Sequence, residues 1–392
     1  LGIKMIKNIQ MVKKYKKNKS SKISLLLASL LGLLLQQAHA AEVNTKLIVT
    51  GGLEYSSNPA LSGFQKDPVW IYTLAPNLLF DVKSDDNLWY LDGLLTVQRN
   101  SNESVLVNRE DPRLLVGWTH NYESDILGVT ASYAESSSLM SQLISSGTFS
   151  QINNTQVTKQ LTANWQHTIN DRWSALTSSA YTDYSYSVKQ ATLLDYSVGT
   201  VASKLTYENS EKLKTSIQAA YAQLNPDGVT RSTDKVSLVV GADYKVNERF
   251  DIGGVAGAYN LSGRQSEDDW LAGVLASYAI ERTKYSFALN REIDTSGIGG
   301  FQISDALKLG WIFDKTDKDR FGANFNYNRY KKDLTIGLDK VNYQEVSGYF
   351  QHDFSSHWQG RVATTYRKLD SIVTNANGTV IGFTITYDQY GF

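Results

Sequence analysis

The stretch TVIGFTITYDQYGF, residues 379–392, carries the reading of the fold. Ile381, Phe383, Ile385 and Tyr387 alternate with Gly382, Thr384, Thr386 and Asp388. Strict alternation marks a β-strand with one face in an apolar medium and the other in water. The apolar parity of Ile381–Tyr387 does not continue into Tyr390 and Phe392, which predicts a bulge or register change near Asp388.

The same alternation recurs upstream. Trp70, Tyr72, Leu74, Pro76, Leu78, Phe80 and Val82 share one parity, and Trp89, Leu91, Gly93, Leu95 and Val97 share another. Val236 to Val246, Trp270 to Ile280, Phe321 to Tyr327 and Trp358 to Tyr366 repeat the pattern. Pro76 cannot donate to a ladder, so a bulge is expected there. Short polar turns punctuate these segments: SDDN (84–87), ESD (123–125), IND (169–171), ENSE (208–211), NER (247–249), ERT (281–283), KTDKD (315–319) and SSH (355–357). Their spacing of roughly 34 to 46 residues accommodates two barrel strands and one longer loop. Longer Ser/Asn/Gly-rich segments fall between them at 56–67, 100–110, 137–154, 225–233, 262–268, 295–303 and 371–379. Eight turns join sixteen strands, and one more at each end makes eighteen. The segments 172–185 and 193–207 alternate poorly, so a count of sixteen stays open. Trp165 and Trp173, Phe313 and Phe321, and Phe354 and Trp358 flank three of the turns. Rings at one height beside the turns suit a membrane-interface girdle.

The other end of the chain supplies the address. Residues 1–22 hold eight lysines and no acid, followed by the apolar run ISLLLASLLGLLL (23–35) and QQAHA before Ala41. This is the plan of a secretory signal peptide, with cleavage expected after Ala40. The run is shorter than the ~20 residues a transmembrane helix needs. The start on Leu1 suggests an initiator at Met5 or Met11. The domain plan is therefore a signal at 1–40 and a barrel over 41–392, its strands beginning near residue 45. Past Leu35 no apolar run is long enough for a spanning helix, and only helices and closed barrels satisfy their backbone in lipid. The expected fold class is all-β, a closed antiparallel transmembrane β-barrel in the outer membrane, in contact with lipid and lipopolysaccharide.

Without the signal the chain carries 31 basic against 39 acidic residues, which argues against nucleic acid as a partner. Cysteine is absent, excluding disulfides and thiolate metal sites. His120, His167, His352 and His357 all lie close to short turns, and no His/Asp/Glu cluster has metal-ligand spacing. His352 and Asp353 are sequence neighbours on a strand and point to opposite faces. Neither a catalytic site nor a cofactor is expected.

The inward parity is polar and of mixed sign. Candidate lumen-lining residues are Lys212, Lys214, Asp243, Lys245, Lys284, Tyr349, Arg361 and Arg367, with Thr158 to Gln166 lining another strand. A ring of like charge would indicate an ion-selective pore. This mixture suits a neutral or weakly charged polyhydroxylated solute, and it equally meets the plain need of a hydrated interior for polar groups.

Two resemblances sharpen the reading. An alternating strand ending on Tyr390 and Phe392 resembles the C-terminal assembly signal of outer-membrane barrels, which implies the barrel-assembly machinery as a partner. The segment KLIVTGGLEYSSNPAL (46–61), with Ser57-Asn58-Pro59 and then Leu74-x-Pro76-x-Leu78, resembles the β-barrel porin 2 superfamily (beta-barrel porin type 2). Within it the likeness is to barrels encoded in exopolysaccharide biosynthesis operons. That resemblance implies a conduit exporting polysaccharide across the outer membrane, working with a separate periplasmic polysaccharide-export protein. The alternative is a general or solute-specific uptake porin. Diffusion porins fold a long loop into the lumen, and the longest loop here, 137–154, is Ser-rich with few charges, which leans toward export.

Overall fold

The computed structural model describes residues 41–390, apart from 64–65, 139–153, 189–192, 229–230, 297–298, 332–340 and 372–374. The expected signal peptide, most of the 137–154 segment and Phe392 lie outside the described residues.

Eighteen strands form one sheet: β1 (Glu42–Ser56), β2 (Val69–Ser84), β3 (Asn87–Asn100), β4 (Arg109–Asn121), β5 (Asp125–Ser137) and β6 (Thr155–Thr168). They continue with β7 (Trp173–Tyr186), β8 (Tyr196–Glu208), β9 (Leu213–Pro226), β10 (Thr233–Asn247), β11 (Phe250–Gly263) and β12 (Glu267–Ile280). The last third is β13 (Thr283–Ser296), β14 (Gly300–Asp314), β15 (Asp319–Lys331), β16 (Val341–Asp353), β17 (Trp358–Asp370) and β18 (Asn375–Tyr390). Each strand pairs antiparallel with its sequence neighbours, and β18 pairs with β1, so no edge is left open. All eight short turns fall where the polar tetrads and triads place them, at the end that the even count assigns to the periplasm.

Register sorts the side chains. Val362 lies opposite Phe383 and Val346 opposite Tyr366, all facing out, while Arg361 lies opposite Thr384 and Glu345 opposite Arg367, facing in. The outward set stays accessible: Trp70, Tyr72, Leu74, Leu161, Val236, Leu238, Trp270, Ile381 and Phe383. In a soluble protein such a surface would be a liability. Around a closed barrel it is the lipid-contacting band. Aromatic pairs gird its periplasmic edge, among them Trp89–Trp118, Trp173–Tyr207, Phe321–Phe350 and Trp358–Tyr387.

The doubtful pair β7 and β8 is fully laddered from Trp173↔Tyr207 to Tyr184↔Tyr196, which makes the count eighteen. Its alternation is weak because small polar residues occupy both faces; Thr177 and Ser203 face outward and share a hydrogen bond. Three expectations need correction. The barrel begins at Glu42, three residues before the expected start. No bulge occurs near Asp388: pairing runs unshifted from Ser56↔Val380 to Lys46↔Tyr390. Asp388 and Tyr390 share the inner face because Lys46, also inward, forms a 2.9 Å ion pair with Asp388 and donates to the Tyr390 hydroxyl at 2.6 Å. Polar closure at the water-facing end explains why the apolar parity stops. Pro76 makes no bulge either, since Leu74↔Val97 and Asn77↔Leu94 keep one register across it and only the ladder to β3 lapses.

Candidate functional site

The barrel interior is shaped by two elements that fold inward from the external rim. The first is the tip of the β13–β14 hairpin. The β12–β13 ladder stops at Ala272↔Arg291 and the β14–β15 ladder at Ile303↔Lys331, yet β13 and β14 stay paired to Ser296↔Gly300. The tip therefore leaves both neighbours. Its outward parity, Ile293, Phe301 and Ile303, is buried against Tyr196 and Val198 of β8, Ala222 and Leu224 of β9, and Tyr259 and Leu261 of β11. These partners all occupy the inner wall, so the hairpin packs inside the barrel.

Polar contacts fix the docking. The Gln265 side chain donates to the Phe301 carbonyl (3.1 Å) and accepts from its N–H (2.8 Å). Lys235 donates to the Ile293 carbonyl at 3.4 Å, and Arg264 to the Gly299 carbonyl at 3.4 Å. Gly299 has φ +72°, and a Cβ there would stand 3.1 Å from Pro226 and 3.6 Å from Leu194. The tip thus reaches across β10–β12 to the β8–β9 wall, and glycine permits both the left-handed turn and the close approach.

The second element is the β1–β2 loop. Asn58 donates to the carbonyls of Ser62 and Asn377 (both 2.9 Å) and accepts from the Ser62 N–H at 3.0 Å. Ser57 is tied to Thr379 through its backbone N–H and its hydroxyl. These bonds set Leu61, almost wholly buried, into a pocket of Tyr330, Tyr343, Leu369 and Ala376 on the inner faces of β15–β18. The Ser57-Asn58-Pro59 segment is the clamp of this fold-in.

Polar groups line what remains between the two. Glu292 and Asp294, on the hairpin face turned from its core, are accessible to solvent. Asp294 interacts electrostatically with Lys235 and Lys308 and lies in range of Tyr330. On the β15–β17 side, Tyr343 donates to Glu345 at 2.7 Å, as does Arg367 at 3.3 Å. Acidic and basic groups interleave at this height, so both signs of charge lie within a narrow span of the lumen.

The periplasmic half is more open. Lys212, Lys214, Asp243 and Lys245 line one hollow of about 740 Å³ on the β9–β14 wall, together with Ser277, Ser286, Leu275 and Lys308. Lys212 belongs to the turn before β9, and Lys214 is bonded to Glu208. Tyr349 lies flat over Gly322, where a Cβ would come within 2.2 Å of its ring, and the Arg361 guanidinium stands 3.9 Å from the ring centroid. Lys284 is on the inner face opposite Ile312, apart from both groups. Arg367 belongs to the external constriction. Of the constriction groups, Lys235, Asp294, Lys308 and the docking residue Phe301 were not among the candidates. The available signal was Ile293, Phe301 and Ile303 continuing an apolar parity beyond Arg291 and Asp305, where charge on that parity already marks the upper limit of the lipid band.

No protein-family model matches the chain, and no curated protein matches it. Solved structures do. Pseudomonas aeruginosa OccK2 (OpdF), determined in complex with glucuronate, is similar over 90% of this chain and 99% of its own, with TM-score 0.54 and 10% identity. Acinetobacter baumannii OccAB4 is similar over 90% and 100%, with TM-score 0.53 and 11% identity. Pseudomonas aeruginosa OprD is similar over 91% and 98%, with TM-score 0.51 and 9% identity. At such identities the likeness is one of fold. Together with the apolar band and the polar interior it defines the class: a closed β-barrel of the bacterial outer membrane, with the fold that the porins share.

Proposed function

We propose that this chain is a selective uptake channel for small hydrophilic solutes. The observation that carries the reading is the β13–β14 hairpin docked across the lumen by its own apolar core. A fixed inward element narrows the aqueous path and brings Glu292 and Asp294 to it, within electrostatic range of Lys308 on the wall. That geometry suits a small solute better than a polymer that must thread continuously. The argument for export drawn from the composition of 137–154 carries less weight, because the β13–β14 hairpin already supplies an inward-folded segment. The fold-level likeness to porins, one of them holding glucuronate, favours uptake over polysaccharide export. The interleaved charges and tyrosines favour polyhydroxylated solutes with few charges.

The test pairs genetics with reconstitution. Deleting the gene is expected to slow uptake of a small solute and leave surface polysaccharide unchanged, and the purified barrel is expected to admit small sugars into proteoliposomes in a swelling assay. Loss of surface polysaccharide with periplasmic accumulation would overturn the uptake reading in favour of export.

A further inference from the structure

A tyrosine lies flat on the inner wall over each of two glycines, and the two differ in what covers the ring. On β16, Tyr349 rests over Gly322 and carries the Arg361 guanidinium 3.9 Å from its centroid. On β3, Tyr90 rests over Gly117 of β4, its register partner, where any Cβ would overlap the ring. The Tyr90 hydroxyl reaches on to Thr130 of β5, 3.0 Å from its Oγ1, so the ring crosses β4 and is held at its far end. Register puts all three residues on the inner face, since Trp89, Trp118 and Val129 take the lipid side.

The lumen side of Tyr90 is open. The residue is partly accessible, and among the described residues no aromatic ring or cation is stacked on it. Other inward tyrosines are covered. Tyr259, Tyr330 and Tyr343 are buried in the two docking cores, Tyr184 stacks on the buried Tyr196 at 4.6 Å, and Lys46 stands 4.1 Å from the Tyr390 ring. Hydrogen-bonding groups flank the open face. Asp92, two residues along the same face of β3, accepts from Arg113 of β4 at 2.9 Å, and about half of the Arg113 side chain (48%) stays accessible.

A flat aromatic face beside a carboxylate and a guanidinium fits one chemistry closely. The face of an aromatic ring carries negative charge density, and the axial C–H bonds on one face of a pyranose turn weakly positive hydrogens toward it. The hydroxyls lie around the rim of that sugar ring, where a carboxylate accepts from them and a guanidinium donates to them. Because Gly117 and Thr130 already hold Tyr90 in place, binding costs no ordering of the platform. An open-chain polyol offers the same hydroxyls without a fixed C–H face.

We infer that Tyr90 is the stacking platform of a pyranose-binding subsite at the periplasmic end of the lumen, with Asp92 and Arg113 as its hydrogen-bonding flank. The inference rests on the uptake reading and narrows its solute class from polyhydroxylated molecules to those with a six-membered sugar ring. A solute that has passed the external constriction meets Tyr90 before it leaves for the periplasm.

The experiment compares glucose with sorbitol on the folded full-length barrel, by saturation-transfer NMR in phosphocholine micelles and by swelling of proteoliposomes. The two solutes are nearly equal in size and hydroxyl chemistry, and only glucose closes into a ring. Glucose is expected to bind the wild type about threefold more tightly than sorbitol, the scale of one aromatic contact, with saturation strongest on its axial C–H protons. Tyr90→Phe keeps the ring and is expected to hold that preference. Tyr90→Leu still covers Gly117 but offers no aromatic face, and is expected to bring glucose to the sorbitol level, with heat-modifiable migration reporting an intact barrel. Equal affinity of the wild type for both solutes, with both entering the proteoliposomes, would overturn the subsite and leave the uptake reading standing; it needs no variant to fold. A glucose preference unchanged in folded Tyr90→Leu would also overturn it, and would reduce Tyr90 to wall packing. Failure of both solutes to enter would strike the uptake reading itself, and the subsite with it.

Discussion

The external and periplasmic halves of this barrel obey different rules. In the periplasmic half the inner face is what a hydrated wall should be, with paired charges, amides and hydroxyls, and Tyr349 laid over Gly322. In the external half the inner face becomes apolar, with Tyr196, Val198, Leu224, Tyr259 and Leu261 on one side and Tyr330, Tyr343 and Leu369 on the other. Each apolar wall has a matching insert, the β13–β14 tip and the β1–β2 loop. The contrast teaches that a buried cluster of apolar side chains on the inward parity marks a docking place for a folded-in segment, whereas an isolated one such as Leu275 stays open to the lumen. Lipid contact needs only the outward parity, and water needs no apolar group at all.

The largest expected effect tests whether the hairpin core holds the constriction. Phe301→Ala removes the largest fully buried side chain of that core. Burial of this kind is worth about 3–5 kcal/mol on truncation, enough to undock the tip while eighteen laddered strands persist. Single-channel conductance in planar bilayers is expected to rise by about twofold or more as the path widens toward the bare barrel, with heat-modifiable migration retained. Unchanged conductance would show that the tip does not limit the path.

The second insert should respond less. Asn58→Ala deletes three hydrogen bonds of the clamp, and leaving such buried groups unmet costs roughly 1–3 kcal/mol. Limited proteolysis is expected to cut within 57–63 in the variant and spare the wild type, with a conductance increase below that of Phe301→Ala. If Asn58→Ala opens the channel more, the order of the two inserts is reversed.

The periplasmic half is expected to change selectivity without changing size. Arg361→Gln removes an exposed cation from the inner wall, and reversal potentials in a salt gradient should move toward cation preference by less than about twofold. Barrel yield should be unaltered. The smallest effect belongs to the closure of β1 on β18. Tyr390→Phe loses the bond from Lys46 but keeps the Lys46–Asp388 ion pair, so the unfolding free energy measured by urea titration is expected to fall by less than about 1 kcal/mol. A large loss there would mean that the Tyr390 hydroxyl, rather than backbone pairing, closes the barrel.

Alternation and turn chemistry are local, and they were legible in the chain itself. Ile381 to Tyr387, Trp70 to Leu78 and the eight polar turns define strands, sidedness and a closure of sixteen or eighteen strands, because a residue's face follows from its parity once lipid and water lie on opposite sides; the β7–β8 ladder decides for eighteen. The inward placement of Tyr349, Arg361 and Lys214 follows from the same rule. Parity could not show that Ile293, Phe301 and Ile303 leave the lipid side and turn inward. That depends on where the ladders to β12 and β15 end, on Gly299 meeting Pro226, and on Gln265 lying within reach of the Phe301 backbone. Nor could it show that Lys46 would draw Asp388 and Tyr390 to one face, making a bulge unnecessary. These are contacts between residues tens to hundreds of positions apart. Loop-closure entropy and packing settle them only when the whole barrel is assembled.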